Sequence, residues 1–184
     1  FAAFEAILGL FRQRFRALRL RRFRDHVMIC GAGWKGVHFA KEYRKRGENV
    51  VVLDRDARSP GLLECQDLKI QTVVGDASDP KVLETHNLQK ASTVLAACGD
   101  DGSNLQIAIA ARKLASALRD DSRPPLRCYV DISSVDLRTM FRQKKTLAGD
   151  DRRFKVTVTG VDLYENSARL LFQRHPLHYT PFAP

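Results

Sequence analysis

Residues 27–39, VMICGAGWKGVHF, decide the fold of this chain. An apolar run typical of a buried β-strand leads into glycines at positions 31, 33 and 36, after which apolar residues return with helical spacing. In such a strand–loop–helix unit the first glycine permits a tight turn, the second lets a phosphate approach the backbone, and the third lets the helix pack closely on the strand. Amides at the start of the helix then face the phosphate. The stretch therefore predicts a phosphate-binding turn.

The rest of the chain predicts the sheet to which this turn belongs. Strand-like segments lie at 26–31, 48–54, 70–76, 92–98, 126–132 and 154–161. Helix-like segments follow them at 34–46, 61–68, 80–88, 102–119, 133–147 and 162–174. Strict alternation favours an α/β fold with a parallel, doubly wound sheet, and right-handed crossovers limit its topology. We expect a Rossmann-like domain over 26–175 with six strands in the order 3-2-1-4-5-6, followed by a tail at 176–184.

Composition is that of a globular protein. The chain has 184 residues, of which 44% are hydrophobic and 28% charged, enough for one domain with its own core. No apolar stretch approaches the roughly 18 residues of a membrane-spanning helix. Because the chain lacks an initiator Met and a signal peptide, we expect it to be a piece of a longer protein.

Four cysteines, Cys30, Cys65, Cys98 and Cys128, form neither a CxxC pair nor a set with metal-ligand spacing. We expect reduced thiols, mostly buried, and no metal site.

A positively charged segment precedes the predicted domain. Half of the net charge of +10 lies in residues 1–25, which contain seven arginines and only two acidic residues, Glu5 and Asp25. Phe4, Leu8 and Phe11 begin an apolar stripe with helical spacing. We expect a basic amphipathic connector helix, next to a membrane surface or another subunit, or else docked on its own domain. Nucleic-acid binding is not favoured, because the charge is confined to this segment.

Asp54 adds a ligand to the predicted turn. It ends the second predicted strand, 18 residues after Gly36, where a carboxylate accepts hydrogen bonds from an adenosine ribose. A carboxylate there repels a 2′-phosphate and favours NAD or a plain adenine nucleotide over NADP, although Arg55 and Arg58 lie nearby.

Two later loops end at the same edge of the predicted sheet, where ligands of doubly wound folds bind. Asp76 follows the third strand and either contacts an adenine or shapes its loop. Asn104 begins the longest helix and serves as a ligand contact or a helix cap.

Catalytic residues are not evident in the sequence. None of the tyrosines is followed four residues later by lysine, as in short-chain dehydrogenases, and the five histidines are scattered. We also expect no second domain within these 184 residues that would form a substrate cleft. We therefore expect a domain that binds without reacting, and keep the NAD-binding half of a small dehydrogenase or reductase as the alternative.

Four motifs in order resemble the RCK domain, also called KTN, the regulator of potassium conductance. They are GAGWKG at 31–36, VVLD at 51–54, VVGDAS at 73–78 and LAACGDDGSNL at 95–105. The resemblance covers about residues 25–175. It implies a nucleotide site composed of Gly31, Ala32, Gly33, Trp34, Lys35, Gly36, Asp54, Arg55, Asp76, Ala77, Cys98, Gly99 and Asn104. The implied ligand is NAD(H) or an adenine nucleotide (AMP, ADP or ATP).

Within that site the resemblance implies that the glycines cradle phosphate, that Asp54 holds a ribose, and that Asp76 and Ala77 border the adenine. Many members of the family carry arginine directly after the second glycine, where it reaches terminal phosphates. This chain has Trp34 there, followed by Lys35, which is a candidate substitute.

The resemblance also implies a function and partners. RCK domains regulate potassium channels and Trk- or Ktr-type uptake systems from the cytoplasmic side of the membrane. Their partners are a membrane-embedded pore or transporter subunit and further RCK domains, in dimers or larger rings. Residues 162–177 resemble the helix that crosses to a paired domain.

Overall fold

A computed structural model describes residues 23–143 and 155–163. Within these residues the strands are β1 (Val27–Cys30), β2 (Val50–Asp54), β3 (Gln71–Val74), β4 (Thr93–Ala96), β5 (Leu126–Asp131) and β6 (Val156–Val161). Every neighbouring pair is parallel, and the order is β3-β2-β1-β4-β5-β6. The predicted fold class and strand order are confirmed.

Helices occupy both faces of the sheet. They are α1 (Trp34–Lys45), α2 (Pro60–Asp67), α3 (Pro80–Thr85), α4 (Asp101–Leu118) and α5 (Val135–Gln143), with a short 3-10 helix at Leu88–Lys90. Asp79 caps α3 as its sequence predicts, since its carboxylate accepts a hydrogen bond from the Lys81 amide at 2.9 Å. Proline follows directly at the first helical position, where its missing N–H costs nothing.

The core has two layers because successive residues of a strand point to opposite faces. Met28 of β1 packs in the layer that includes Ile107 and Leu114 of α4. Its neighbour Ile29 packs in the other layer, with Val37 of α1 and Leu62 of α2. Both faces of the central strands are therefore buried, which explains their continuous apolar sequences.

Two predicted helix boundaries are wrong. The helix expected at 80–88 ends at Thr85, because Asn87 adopts a left-handed conformation (φ 61°) that an α-helix cannot contain. The helix expected from Ser133 begins at Val135, and the Ser134 hydroxyl accepts a hydrogen bond from the Leu137 amide at 3.3 Å. Several predicted segments lie outside the described residues: 1–22 of the leader, the end of the 133–147 helix, all but the start of the 162–174 helix, and the tail.

Among the described residues, none of the helices is both long and apolar enough to cross a membrane. The same residues contain no group of three His, Cys, Asp or Glu side chains able to hold a metal ion. All four cysteines are free thiols; Cys98 is half-buried and the other three are buried.

A buried histidine lies at the start of the sheet, at the edge opposite the glycine turn. The His26 side chain is inaccessible to solvent, with its ring centroid 5.9 Å from that of Phe23. Neither ring nitrogen has a hydrogen-bond partner among the described residues. Burial, and secondarily the positive charge of Arg123, lower the pKa of His26 to about 4, against a smaller opposing effect of Asp25.

We expect this histidine to make the protein less stable in mild acid. Between its ordinary pKa of 6.5 and the folded value of about 4, only the unfolded chain takes up the proton, so the free energy of unfolding falls as pH falls. The loss between pH 7 and pH 5 is about 2 kcal/mol. Urea denaturation of His26→Leu should show this pH dependence reduced, whereas the exposed control His38→Ala should keep it. An unchanged slope in His26→Leu would contradict the assignment.

Candidate functional site

A cavity of about 880 Å³ opens over the carboxyl ends of the strands. Its walls come from the loops that follow β1, β2, β3, β4 and β5. The chain reverses its direction of winding here, since β1 lies between β2 and β4. Doubly wound folds bind their ligands at this switch point.

The three glycines of the turn differ in what a side chain at each position would contact. Gly31 has a φ of 103°, and a Cβ there would lie 2.6 Å from the Ala97 carbonyl oxygen. A Cβ on Gly36 would lie 1.9 Å from the Gly31 carbonyl oxygen, so only glycine lets α1 begin this close to β1. A Cβ on Gly33 would meet nothing within 4 Å. Gly33 therefore keeps open space beside the backbone, as a phosphate would require.

The N-terminus of α1 can accept an anion. Gly33 occupies the N-cap position, offers no side-chain cap, and the first turn contains no acidic residue. The backbone amides at this end therefore have no N-cap side chain to which they could donate a hydrogen bond, and the helix dipole favours negative charge there.

Asp54 is fixed at the end of β2 and faces the cavity. One carboxylate oxygen accepts a hydrogen bond from the Ala32 amide at 2.7 Å, and the other accepts one from the Asp56 amide at 3.0 Å. The carboxylate thus ties the glycine loop to β2. Each oxygen keeps acceptor capacity for a ribose hydroxyl.

Asp76 closes the far side of the cavity. Its Oδ1 accepts hydrogen bonds from the Ser78 amide at 2.8 Å and the Ser78 hydroxyl at 2.6 Å. These bonds lower the pKa of Asp76, so its carboxylate is ionised at neutral pH. Arg55 lines the same cavity, and its positive charge adds to the lowering.

Asn104 is neither a helix cap nor part of the cavity lining. Asp100 caps α4 by accepting a hydrogen bond from the Ser103 amide at 2.7 Å. The buried Asn104 amide accepts from the Cys98 amide at 2.8 Å and donates to the carbonyls of Cys98 and Asp131 at 3.2 and 2.9 Å. It joins the ends of β4 and β5 and positions the loop that carries Cys98.

Lys35, expected to face phosphates, forms an ion pair with Asp131 at the end of β5. Its Nζ lies 2.5 Å from Asp131 Oδ2, and the two side chains are only 11% and 3% exposed. The other carboxylate oxygen accepts a hydrogen bond from the Leu163 amide at 3.2 Å. The pair therefore links the start of α1, beside the glycine turn, to the segment after β6.

Most of the predicted site residues meet in one place. Those that line the cavity are Gly31, Gly33, Trp34, Lys35, Asp54, Arg55, Asp76, Ala77, Cys98 and Gly99. Ala32, Gly36 and Asn104 lie behind this wall and support it. Sequence reasoning missed Asp56, Asp100, Asp101 and Asp131, although the position of Asp131 at the carboxyl end of a parallel strand was a usable signal.

The cavity carries more negative than positive groups. Among the described residues that line it, the carboxylates are Asp54, Asp56, Asp76, Asp100, Asp101 and Asp131, and the cations are Lys35 and Arg55. The thiol of Cys98 lies among these carboxylates. Burial raises its pKa to about 11, and the negative charges of Asp54, Asp100 and Asp76 add to the increase.

Two proteins of known name are similar to this chain in sequence. Potassium channel protein 1 of Methanocaldococcus jannaschii is 30% identical over 112 residues, which are 59% of this chain and 34% of that protein. The Trk system potassium uptake protein TrkA homolog of Pyrococcus abyssi is 25% identical over 141 residues, 77% of this chain and 57% of that protein. This chain therefore spans about a third to somewhat over half of these relatives.

Solved structures share the fold at low identity. The NAD(P)-binding domain of an exopolyphosphatase-related protein from Archaeoglobus fulgidus has a TM-score of 0.59 at 18% identity, covering 82% of this chain and 97% of its own. The GsuK channel bound to NAD has a TM-score of 0.52 at 16% identity, and the match covers 75% of this chain and 22% of that one. GsuK bound to ADP has a TM-score of 0.57 at 18% identity, and the match covers 83% of this chain and 35% of that one. The Shewanella denitrificans Kef C-terminal domain in its AMP-bound form has a TM-score of 0.54 at 17% identity, and the match covers 81% of this chain and 78% of that one.

A family model matches this chain directly. The model of the TrkA-N domain matches residues 27–143, which run from β1 through α5. The relatives are potassium channel and Trk proteins, and the RCK domain of GsuK has the same fold (TM-score 0.53, 16% identity, 75% of this chain and 26% of its own), so the expected resemblance is confirmed. Because this match covers well over half of the chain, and includes the described residues that line the cavity, the chain belongs to the TrkA-N domain family.

Proposed function

We propose that this chain is the regulatory nucleotide-binding domain of a potassium channel or potassium uptake system. The observation that carries the proposal is the pairing of an open glycine turn at Gly33 with a fixed carboxylate at Asp54. The turn suits a phosphate, and the carboxylate suits the hydroxyls of the attached ribose.

The ligand proposed for this cavity is NAD(H) or a plain adenine nucleotide. The neighbours named above were solved with NAD, ADP and AMP, which share an adenosine and at least one phosphate. In this chain Asp54 would hold the ribose, the amides at the start of α1 would hold the phosphate, and Asp76 and Ala77 would border the adenine.

We infer binding without turnover. Among the described residues that line the cavity there is no histidine or tyrosine, and the lysine there is held by Asp131. Histidine, the side chain that most often serves as acid or base in catalysis, is therefore not among these residues, and neither is a tyrosine. The relatives with potassium channel and uptake names support a regulatory role.

The proposed output is a change in ion flux. The basic leader would connect this domain to a membrane-embedded pore or transporter subunit, with the domain on the cytoplasmic side. Paired domains, as dimers or a larger ring, would change their relative position when nucleotide binds. A ligand shifts such an equilibrium only by its different affinity for the two states.

Binding is tested first by titrating the purified chain with NAD, NADH, AMP, ADP and ATP in a calorimeter, with melting temperature as the second readout. We expect saturable binding and a rise in melting temperature for at least one of them. Binding of none by a folded protein would contradict the proposal. Substrate-dependent consumption of NADH by the full-length protein would contradict the regulatory assignment and favour a reductase.

Asp54→Asn tests the ribose contact. An amide offers only one acceptor oxygen where the carboxylate offers two charged ones, so we expect NAD affinity to fall about 10- to 100-fold, the effect of losing hydrogen bonds to a charged group. The repulsion of a 2′-phosphate also disappears, so the preference for NAD over NADP should shrink. Calorimetric titration with both dinucleotides measures this. Equal loss of both, with the preference kept, would contradict the role of the Asp54 charge.

A further inference from the structure

We propose that Asp131 holds Lys35 away from bound phosphates, and that this ion pair makes the cleft select a dinucleotide such as NAD over ATP. The inference rests on the proposed function and adds the specificity of the same site. Each phosphate of a dinucleotide carries one negative charge, whereas ATP ends in a phosphate that carries two near neutral pH.

The first support is the geometry of the pair. Lys35 is the second residue of α1, so its long side chain starts beside the turn where phosphates would bind. Its Nζ nevertheless lies 2.5 Å from Asp131 Oδ2, and both side chains are nearly buried. Moving Lys35 to a phosphate would leave the Asp131 carboxylate buried without its counter-charge, which is costly.

The second support is that Asp131 itself is held in place. Its Oδ1 accepts a hydrogen bond from the Leu163 backbone amide at 3.2 Å, and its backbone carbonyl accepts one from the Asn104 side-chain amide at 2.9 Å. Asp131 is also the last residue of β5, and it pairs with Val161 of β6. The carboxylate therefore cannot follow Lys35 toward a ligand without breaking contacts of the sheet edge.

The third support is the charge that remains once this pair is neutral. Of the described residues that line the cavity, Arg55 is the second cation, and it helps to lower the pKa values of Asp76 and Asp100. Asp101 adds a further carboxylate, oriented by the Ser133 and Ser134 amides at 2.8 and 2.9 Å. A terminal phosphate would enter this negative field without a lysine to balance it.

The test is to release Lys35. Asp131→Asn keeps an oxygen that can accept the Leu163 amide but removes the charge that holds the ammonium. We expect ATP to bind about tenfold tighter or more than to wild type, the gain of one charge-assisted hydrogen bond to phosphate, with a much smaller change for NAD. Titrations are run with EDTA and repeated with Mg²⁺. Asp131→Ser, also neutral, provides a second variant should the first not fold.

Two controls separate release of Lys35 from a general change of charge. Asp56→Asn removes another carboxylate of the cavity without touching the pair, and it should strengthen ATP binding less than threefold. In the double variant Lys35→Gln/Asp131→Asn the gain for ATP should vanish, because the released ammonium is gone. An equal gain in Asp56→Asn, or a gain that survives in the double variant, would overturn the proposal.

The outcomes also distinguish this inference from the proposed function. Wild type that binds none of the nucleotides refutes the proposed function and this inference with it. Wild type that binds ATP as tightly as NAD, with or without Mg²⁺, refutes only the inferred selectivity. Wild type that prefers NAD, with Asp131→Asn unchanged toward ATP, leaves the nucleotide site standing and refutes the role of the ion pair.

Discussion

Gly36→Ala is expected to destabilise the fold by about 3 kcal/mol or more, the upper range for overpacking a tight contact. The new Cβ would lie 1.9 Å from the Gly31 carbonyl oxygen and 3.5 Å from the Ile29 side chain. A backbone oxygen cannot rotate away as a side chain can, so α1 and β1 must separate. This loss outweighs the roughly 1 kcal/mol that alanine gains over glycine inside a helix. Urea denaturation measures it.

Gly33→Ala is the matched control in the same loop. Nothing lies within 4 Å of the position its Cβ would take, and its φ of −66° is accessible to any residue. We expect the free energy of unfolding to stay within about 1 kcal/mol of wild type, the scale of an N-cap change. Nucleotide affinity should fall at least tenfold, since the methyl group occupies the space of a phosphate. Destabilisation of both variants alike, or unchanged nucleotide affinity in Gly33→Ala, would contradict these separate roles.

Asn104→Ala is expected to cost about 3 kcal/mol. The buried amide makes three hydrogen bonds, to the Cys98 amide, the Cys98 carbonyl and the Asp131 carbonyl. Truncation leaves the buried Asp131 carbonyl and the part-buried Cys98 groups without this partner, and each such loss costs roughly 1 kcal/mol. The ends of β4 and β5 lose their link, so nucleotide affinity should weaken as well.

For Asn104→Ala, chemical denaturation measures the loss of stability and calorimetry measures the nucleotide affinity. Gln106→Ala, on the exposed side of the same helix, is the control and should change stability by less than about 0.5 kcal/mol. If Asn104→Ala behaved like Gln106→Ala, the amide would not be the clamp that its contacts indicate.

The strand order and the close backbone approaches at Gly31 and Gly36 were predictable from the sequence, whereas the phosphate contact at Gly33 stays a prediction. Continuous apolar strands imply burial on both faces, alternation with helices implies a parallel sheet, and crossover handedness leaves few topologies. The same rule predicted that Asp54, Asp76 and Cys98 would meet at one edge, because each follows the end of a strand. These inferences depend on local periodicity and on chirality, which a linear sequence carries.

Helix ends were less predictable, because they depend on single backbone conformations. Asn87 takes a left-handed φ that its residue type permits but does not require. Asn104 has the residue type of a cap, and only the presence of Asp100 four residues earlier, already bonded to Ser103, turned it inward. Near-equivalent local choices of this kind are decided by packing.

The sequence by itself determined the fold class, the tight glycine turn after β1 and the carboxylate at the end of β2, because each follows from short-range spacing. The tertiary structure alone decided what Lys35 does. Its partner Asp131 lies 96 residues away in the chain, and the two meet because β1 and β5 end at the same edge of the sheet. A charge beside a glycine turn suggests a phosphate ligand, but burial next to a fixed carboxylate determines which contact it makes.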